Sequence, residues 1–499
     1  MHQKTSANML YNYVKCPHRL RLDLFEDPAK RDPETAFVKL LWERGIDFEK
    51  QLMQAINLPY LDLSSSAGLE KEDQTRKALK QGVPLIYSGR ISTDELMGEP
   101  DLLLKHDDGY LAGDIKSGSA LEGENDSSVG KLKLHYAMQL GLYTDILEKI
   151  GISAGRMPFI YDIHRQKTTY VLNQPRGKRN PDSWWNTYLK TLSEVDKIKN
   201  QEISTLPAHT SQCKLCHWRT HCLQRMIFVK DLSLIPELGR KKRDILLEHF
   251  GSYQDFARKR LDNFISGKKT IFPGIGVYTL YKFHNRAQLL SQVHARAYAK
   301  TKIDFPHNET ELFFDVETDP MQDLCYLHGF IERHHQDPST EKYVPFFAEQ
   351  ATEKGEKRAF QEAWQYIQHH FPCTIYYYSP YEKTTWNKLY QKYPSVLYQS
   401  DLEMLFHSPL VVDLYSDVVR KKTEWPTYNY SVKDLAKYLG FKWRDENPSG
   451  AESIEWYHRW LQKRKPEIKQ RILEYNEDDC RAMRVLLEGI RSLPLKNSE

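Results

Sequence analysis

Three short stretches of this 499-residue sequence bring acidic side chains close enough to act together. In the first, Pro100-Asp101 opens an apolar run from Leu102 to Leu104. A polar turn follows at His106-Asp107-Asp108-Gly109, and Tyr110 to Ala112 leads into Gly113-Asp114-Ile115-Lys116. Two strands joined by that turn account for the pattern. On the second strand Asp114 and Lys116 are two apart and share a face, Ile115 turns into the core, and Asp101 begins the neighbouring strand beside them. Converging carboxylates are costly unless a cation neutralises them, and hard oxygen donors of this kind suit Mg²⁺ or Mn²⁺. A lysine next to them can orient a water or stabilise negative charge as it develops. In the second stretch, Glu311 to Thr318 reads as an apolar strand ending in Asp315 and Glu317, whose side chains share a face. In the third, Tyr475 and Asp479 lie four apart on an expected helix through 472–480, one turn, so both face one point. Asp315, Glu317 and Asp479 together offer what a two-metal phosphodiester site needs.

A fourth stretch is rich in thiols. Cys213-x2-Cys216-x5-Cys222 places three cysteines in ten residues, with His217, Trp218 and His221 among them. Exposed thiols would be an oxidation liability, so a metal or cluster site is the stronger reading. Three thiolates need a fourth ligand. Zinc would accept His217 or His221, whereas an iron–sulfur cluster would want another cysteine. Seven cysteines, an odd number and unevenly placed, argue against a disulfide framework.

The elements that must position these groups fall into three parts. Length suggests about three domains. No run of eighteen apolar residues occurs, which argues against a membrane span, and the first residues lack the apolar core of a signal peptide, so a cytoplasmic protein is expected. Residues 7–27 read as one helix carrying Cys16. A further helical segment holds Glu49, and another from Lys131 to about Ile150 carries Gln139 and Tyr143 on one face. Residues 230–302 contain fifteen Lys/Arg against six Asp/Glu, a local balance of +9 where the whole chain has +4. Within them Arg240-Lys241-Lys242-Arg243 follows one Gly-containing turn, and Gly274 and Gly276 lie in another, which suits phosphate at helix N-termini. From about Asn308 the pattern turns strand-rich. The fold class is α/β.

Asp101, Asp114 and Lys116 resemble the metal-binding acids and catalytic lysine of PD-(D/E)xK nucleases with a restriction-endonuclease-like fold. The resemblance is closest to RecB-like nucleases. It implies that Glu49 is a further metal ligand and that Gln139 and Tyr143 contact nucleic acid. It also makes Cys16 the fourth ligand of a [4Fe–4S] cluster with Cys213, Cys216 and Cys222. Closing nearly two hundred residues in this way would be worth about 5 kcal/mol by chain entropy. The basic segment resembles helix-hairpin-helix DNA-binding units. Asp315, Glu317, Asp479 and Tyr475 resemble the tyrosine-bearing DEDD 3′-to-5′ exonucleases of the RNase-H-like fold, which implies a role for Glu382 as the remaining metal-binding acid, with Asp413 second to it. The expected organisation is therefore a nuclease domain over 1–228, a basic connector over 229–305 and an exonuclease domain over 306–499. The expected activity is metal-dependent hydrolysis of nucleic acid, DNA rather than RNA, in repair, recombination or defence. A rival from another class is a nucleic-acid-binding scaffold with one or both sites inactive, favoured by the absent histidine near Glu49 and the glutamate at position 382.

Overall fold

The computed structural model describes residues 3–122, 130–177 and 180–496. They form two compact units, one of Met1–Pro207 with Ser211–Cys222 and one of Ala208–Thr210 with Leu223–Glu499. The basic segment expected as a separate connector thus folds within the second unit. No helix among the described residues is long and apolar enough to cross a membrane.

The first unit is built on a six-stranded sheet. Its strands are β1 (Leu61–Asp62), β2 (Leu85–Tyr87), β3 (Leu102–His106), β4 (Gly109–Ile115), β5 (Phe159–Tyr161) and β6 (Lys167–Thr169), in the spatial order β6-β5-β4-β3-β2-β1. β3 and β4 form the expected antiparallel hairpin, with His106 opposite Gly109 and Asp107 in the left-handed region at φ 48°. Every residue of β4 is buried, because both faces of the strand are covered. Leu111 and Ile115 join Leu52 and Met53 in one cluster, while Tyr110 and Ala112 join the main core on the other face. Asp114 has the parity of Tyr110 and Ala112, so the alternation that buries Ile115 also sets Asp114's direction.

Helices α1 (Ala7–Lys15), α2 (Pro17–Phe25), α3 (Ala36–Ala55), α4 (Leu134–Lys149) and α5 (Trp184–Lys199) cover this sheet. The single helix expected over 7–27 is broken. Cys16 is extended at φ −166° and ψ 115°, and Pro17 starts the second helix. Proline disfavours helical conformation in the residue before it, and the apolar spacing that continues across the break hid this from the sequence. The unit's last segment returns to its first. Asp23 on α2 accepts from the Trp218 indole at 2.9 Å and bonds the His217 ring at 2.7 Å, while Asp32 N–H donates to His217 O at 2.7 Å.

The second unit holds a five-stranded sheet of β7 (Thr310–Asp319), β8 (Leu324–His334), β9 (Lys342–Phe347), β10 (Thr374–Tyr377) and β11 (Val411–Asp413), in the order β9-β8-β7-β10-β11. The first three strands are antiparallel and the last two run parallel to β7. Leu312, Phe314 and Val316 point to one core, beneath α6 (Glu353–His370) and α7 (Tyr381–Lys392). Phe313 points to the other, against α8 (Pro466–Arg491), and Asp315 and Glu317 have its parity.

His328 is fully buried in the first of these cores. The Trp386 indole, which can only donate, reaches His328 Nδ1 at 3.2 Å, so the ring's proton sits on Nε2 toward Cys325 Sγ at 3.6 Å. Burial holds this histidine neutral, with its pKa pushed down to about 3. Its contribution to stability is complete above pH 6.5 and is lost as pH falls toward 3, since only the unfolded chain takes the proton. Denaturation measured between pH 7 and 4 should show His328→Gln, which keeps an acceptor for Trp386, losing less stability than wild type. The difference should approach about 1.4 kcal/mol per pH unit.

Candidate active sites

In the first unit the hairpin delivers its charged groups to one place. Asp114 is 1% exposed. Lys116 Nζ lies 2.9 Å from Asp114 Oδ2 and 3.8 Å from Asp101 Oδ2. Asp101 is locked by Ile115 N–H, which donates to its Oδ2 at 2.7 Å. Glu49 on α3 joins them electrostatically, feeling Asp114 and Lys116, and its carboxylate accepts from the Tyr87 hydroxyl. Burial, and then Asp114, push Asp101 up to about 8. Burial likewise raises Glu49. Burial pulls Lys116 down, but Asp114 and Asp101 outweigh it and hold the ammonium above its ordinary range. One cation is therefore shared among three acids, an arrangement short of positive charge.

The second unit gathers acids more tightly. Asp315 and Glu317 from β7 and Asp479 from α8 offer oxygens all within 4.8 Å of one another, the one such group of three or more ligand-type residues among the described residues. Burial first, and their mutual repulsion next, raise Asp315 and Glu317 well above the carboxylate range. Glu382, in the first turn of α7, is 3% exposed, and burial followed by Asp315 raises it too. Its Oε2 is buried and has no hydrogen-bond partner among the described residues. A buried, unpartnered carboxylate oxygen facing like charges fits a cation's donor set. Asp413 does a different job: it accepts from Ser379 N–H at 3.0 Å and Ser416 N–H at 2.8 Å, fixing the loop that leads to Glu382.

Residues 12–223 match the PD-(D/E)XK nuclease superfamily, and residues 312–490 match the RNase_H superfamily. The chain joins a PD-(D/E)XK domain to an RNase H-like domain. No curated protein matches it. Domains of these superfamilies hydrolyse nucleic acid, typically with divalent metals, and the acidic triad of the RNase H-like domain has the donors for one.

In the RNase H-like domain several neighbours escaped the sequence reading. Lys433 donates to the Tyr475 hydroxyl at 2.6 Å and stands 3.6 Å from Asp479 Oδ2. The Trp443 indole donates to Asp479 Oδ1 at 2.7 Å. Asn476 donates to Asp315 Oδ2 at 2.7 Å while accepting from the Tyr343 hydroxyl at 2.8 Å. Gly329 on β8 makes room for that amide, since a Cβ there would lie 1.6 Å from Asn476 Oδ1. The register of β7 against β8 shifts beside Glu317, and Tyr326, at that irregularity, reaches Glu317 Oε2 at 3.4 Å. Of these, Asn476 alone had a signal: it lies three residues before Asp479 on the same helix.

In the PD-(D/E)XK domain, Tyr143 is not placed to touch nucleic acid. It is 4% exposed, its hydroxyl donates to the Glu99 carbonyl at 3.4 Å, and a Cβ on Gly98 would lie 2.5 Å from its ring. It supports the turn into Asp101 from beneath. Gln139 is half-buried, and its Oε1 has no hydrogen-bond partner among the described residues.

Cys16 sits at the α1–α2 break, Cys213 in the turn Ser211–Leu215 and Cys222 in the helix Arg219–Val229. Burial raises Cys216, and Cys16 and Cys213 both act on it electrostatically.

In the basic segment Lys241 is exposed, but Arg243 is 1% exposed and lies 3.1 Å from Asp244 and 3.8 Å from Asp231, which removes it from any surface that nucleic acid can reach. Gly274 adopts φ 72°, and Gly276 caps the helix Val277–Ser291.

Proposed function

We propose that the chain is a metal-dependent nuclease of DNA with two hydrolytic sites. The observation that carries this is the convergence of Asp315, Glu317 and Asp479 beside the buried, unpartnered oxygen of Glu382. These four would hold Mg²⁺ or Mn²⁺ in the RNase H-like domain, and Glu49, Asp101 and Asp114 would do so in the PD-(D/E)XK domain. When bound, such a metal neutralises the phosphodiester's charge and acidifies a water. Tyr475, its hydroxyl held by Lys433, orients the attacking water. Lys116, kept charged by Asp114 and Asp101, stabilises charge developing on the phosphate. Resemblance to the DEDD exonucleases makes the second site a 3′-to-5′ exonuclease. Glu382 is buried, feels the charge of Asp315 and keeps an unpartnered oxygen, which supports an active site over a degenerate one. Arg240, Lys241 and Lys242, with the turn through Gly274 and Gly276, add electrostatic affinity for the strand, and Gln139 approaches it near the first site. Repair, recombination or defence in the cytoplasm are roles that suit such an enzyme.

The test is digestion of end-labelled single-stranded and duplex DNA and RNA by the full chain, with Mg²⁺, Mn²⁺ or a chelator. DNA shortened only when metal is present is the expected result. No hydrolysis of any substrate with either metal would overturn the proposal.

Cys16, Cys213, Cys216 and Cys222 hold a [4Fe–4S] cluster in this reading. Support comes from Cys16 and Cys213 both acting electrostatically on Cys216, and from His217, whose ring is engaged by Asp23. Cys16→Ser should lower both the iron content and the melting temperature of the purified protein. One zinc per chain and no iron in the wild type would sink the assignment.

A further inference from the structure

A patch of positive charge beside Lys116 has no part in the chemistry above. Lys15 ends α1 and Lys133 immediately precedes α4. Lys133 Nζ stands 5.4 Å from the centre of the Tyr136 ring, which Lys116 Nζ also approaches, at 5.8 Å. Lys15 Nζ stands 5.3 Å from the Tyr11 ring. Tyr11 meets His135 edge-on at 5.0 Å, and His135 lies 4.3 Å from Tyr136. Three ammonium groups, two phenol rings and an imidazole thus make one continuous cluster on one flank of the site.

Lys116 is paired with Asp114 and Asp101, but the other two ammonium groups are not paired with acids among the described residues. Neither Lys15 nor Lys133 has a carboxylate within 4.0 Å among the described residues; Glu122 and Asp162 act on them only from farther away. Among the described residues the Lys133 ammonium donates to the neutral Ser119 carbonyl, at 2.6 Å. Burial, and after it the charge of Lys133, lowers Lys15, and burial lowers Lys133. His135 adds no charge: burial, then Lys15, Lys133 and Lys116, push it down to about 3. A solvated lysine on an open surface would show neither effect. Half-buried ammonium groups packed on rings and repelling one another are costly, and an anion placed between them would relieve that cost.

We propose that Lys15 and Lys133 form an anion subsite that takes a phosphate group of the nucleic-acid strand next to the phosphate at Lys116. The identity of the anion rests on the nuclease reading; the existence of the subsite does not. The subsite holds the strand in register, so that the scissile phosphate meets Lys116 instead of sliding past it.

Binding of a fluorescent single-stranded oligonucleotide to the full chain, in chelator and over a series of salt concentrations, tests this. Lys15→Gln with Lys133→Gln should weaken binding at least tenfold at low salt. It should also flatten the log–log salt slope by about 0.7 for each phosphate that is no longer neutralised. Lys15→Arg with Lys133→Arg should keep the slope, which separates charge from folding. In parallel, the two amines are labelled with an acylating reagent and mapped by mass spectrometry, alone, with oligonucleotides bearing 5′-phosphate or 5′-hydroxyl ends, and with inorganic phosphate. Protection by both oligonucleotides assigns an internal phosphate, and protection by the 5′-phosphate form alone assigns a terminal one. An oligonucleotide that binds with an unchanged slope and unprotected lysines overturns the subsite. If the chain binds no nucleic acid, the nuclease reading fails, and protection or its absence with inorganic phosphate then decides the subsite by itself.

Discussion

Lys116→Ala should lower hydrolysis at the PD-(D/E)XK site by about 10²–10³-fold, the cost of removing one preorganised group that stabilises transition-state charge. The reason lies in the count of charges. Lys116 is the cation shared by Asp114 at 2.9 Å and Asp101 at 3.8 Å, and those acids hold it charged against the pull of burial. In the proposed role it acts on the reacting phosphate, so oligonucleotide affinity should change little. Cleavage should be read on an internally labelled duplex in an Asp315→Asn background, where the second site is silent. A Lys116→Ala rate equal to that of the parent would refute the role.

Asp315→Asn should have two effects of opposite sign in the RNase H-like domain. Exonuclease activity on 3′ ends should fall by more than about 10³-fold, because several kcal/mol of charge stabilisation depends on the acid cluster. The metal-free protein should nevertheless melt at a higher temperature, since the substitution relieves repulsion among buried acids that burial and one another hold well above their ordinary range. Wild type should gain thermal stability with Mn²⁺, by about 2.7 kcal/mol at a hundred times its dissociation constant, and the variant should not. Calorimetry with and without metal checks both signs. A variant that melts lower without metal would mean that Asp315 is a structural acid.

The sequence carried the local half of both sites. Two-residue alternation brought Asp114 with Lys116, and Asp315 with Glu317, onto shared faces, and a single helical turn brought Tyr475 to Asp479, because these periodicities act over a few residues. The turn at Asp107-Asp108 was legible for the same reason. What failed was anything set by the far side of the chain. An arginine in a basic run gives no sign that Asp231 will draw it inward, as happens to Arg243. A tyrosine at helical spacing gives no sign that it will lie under Gly98, as Tyr143 does. Lys433 is forty-two residues from the hydroxyl it holds, and no periodicity spans that distance. The break at Cys16 was written in Pro17, but the apolar pattern running through it was the stronger signal.

The clasp of His217 and Trp218 on Asp23 sets a timetable for the chain's birth. The partners are separated by 194 and 195 residues. At ordinary elongation rates a ribosome needs about 10 to 40 s to travel from one to the other. For all of that time the Asp23 carboxylate waits without the groups that will close on it, and the nascent helices α1 and α2 lack the segment that ends their unit. This contact of α2 therefore closes only after the segment near residue 217 has been made, and slower translation lengthens the interval during which Asp23 lacks these partners.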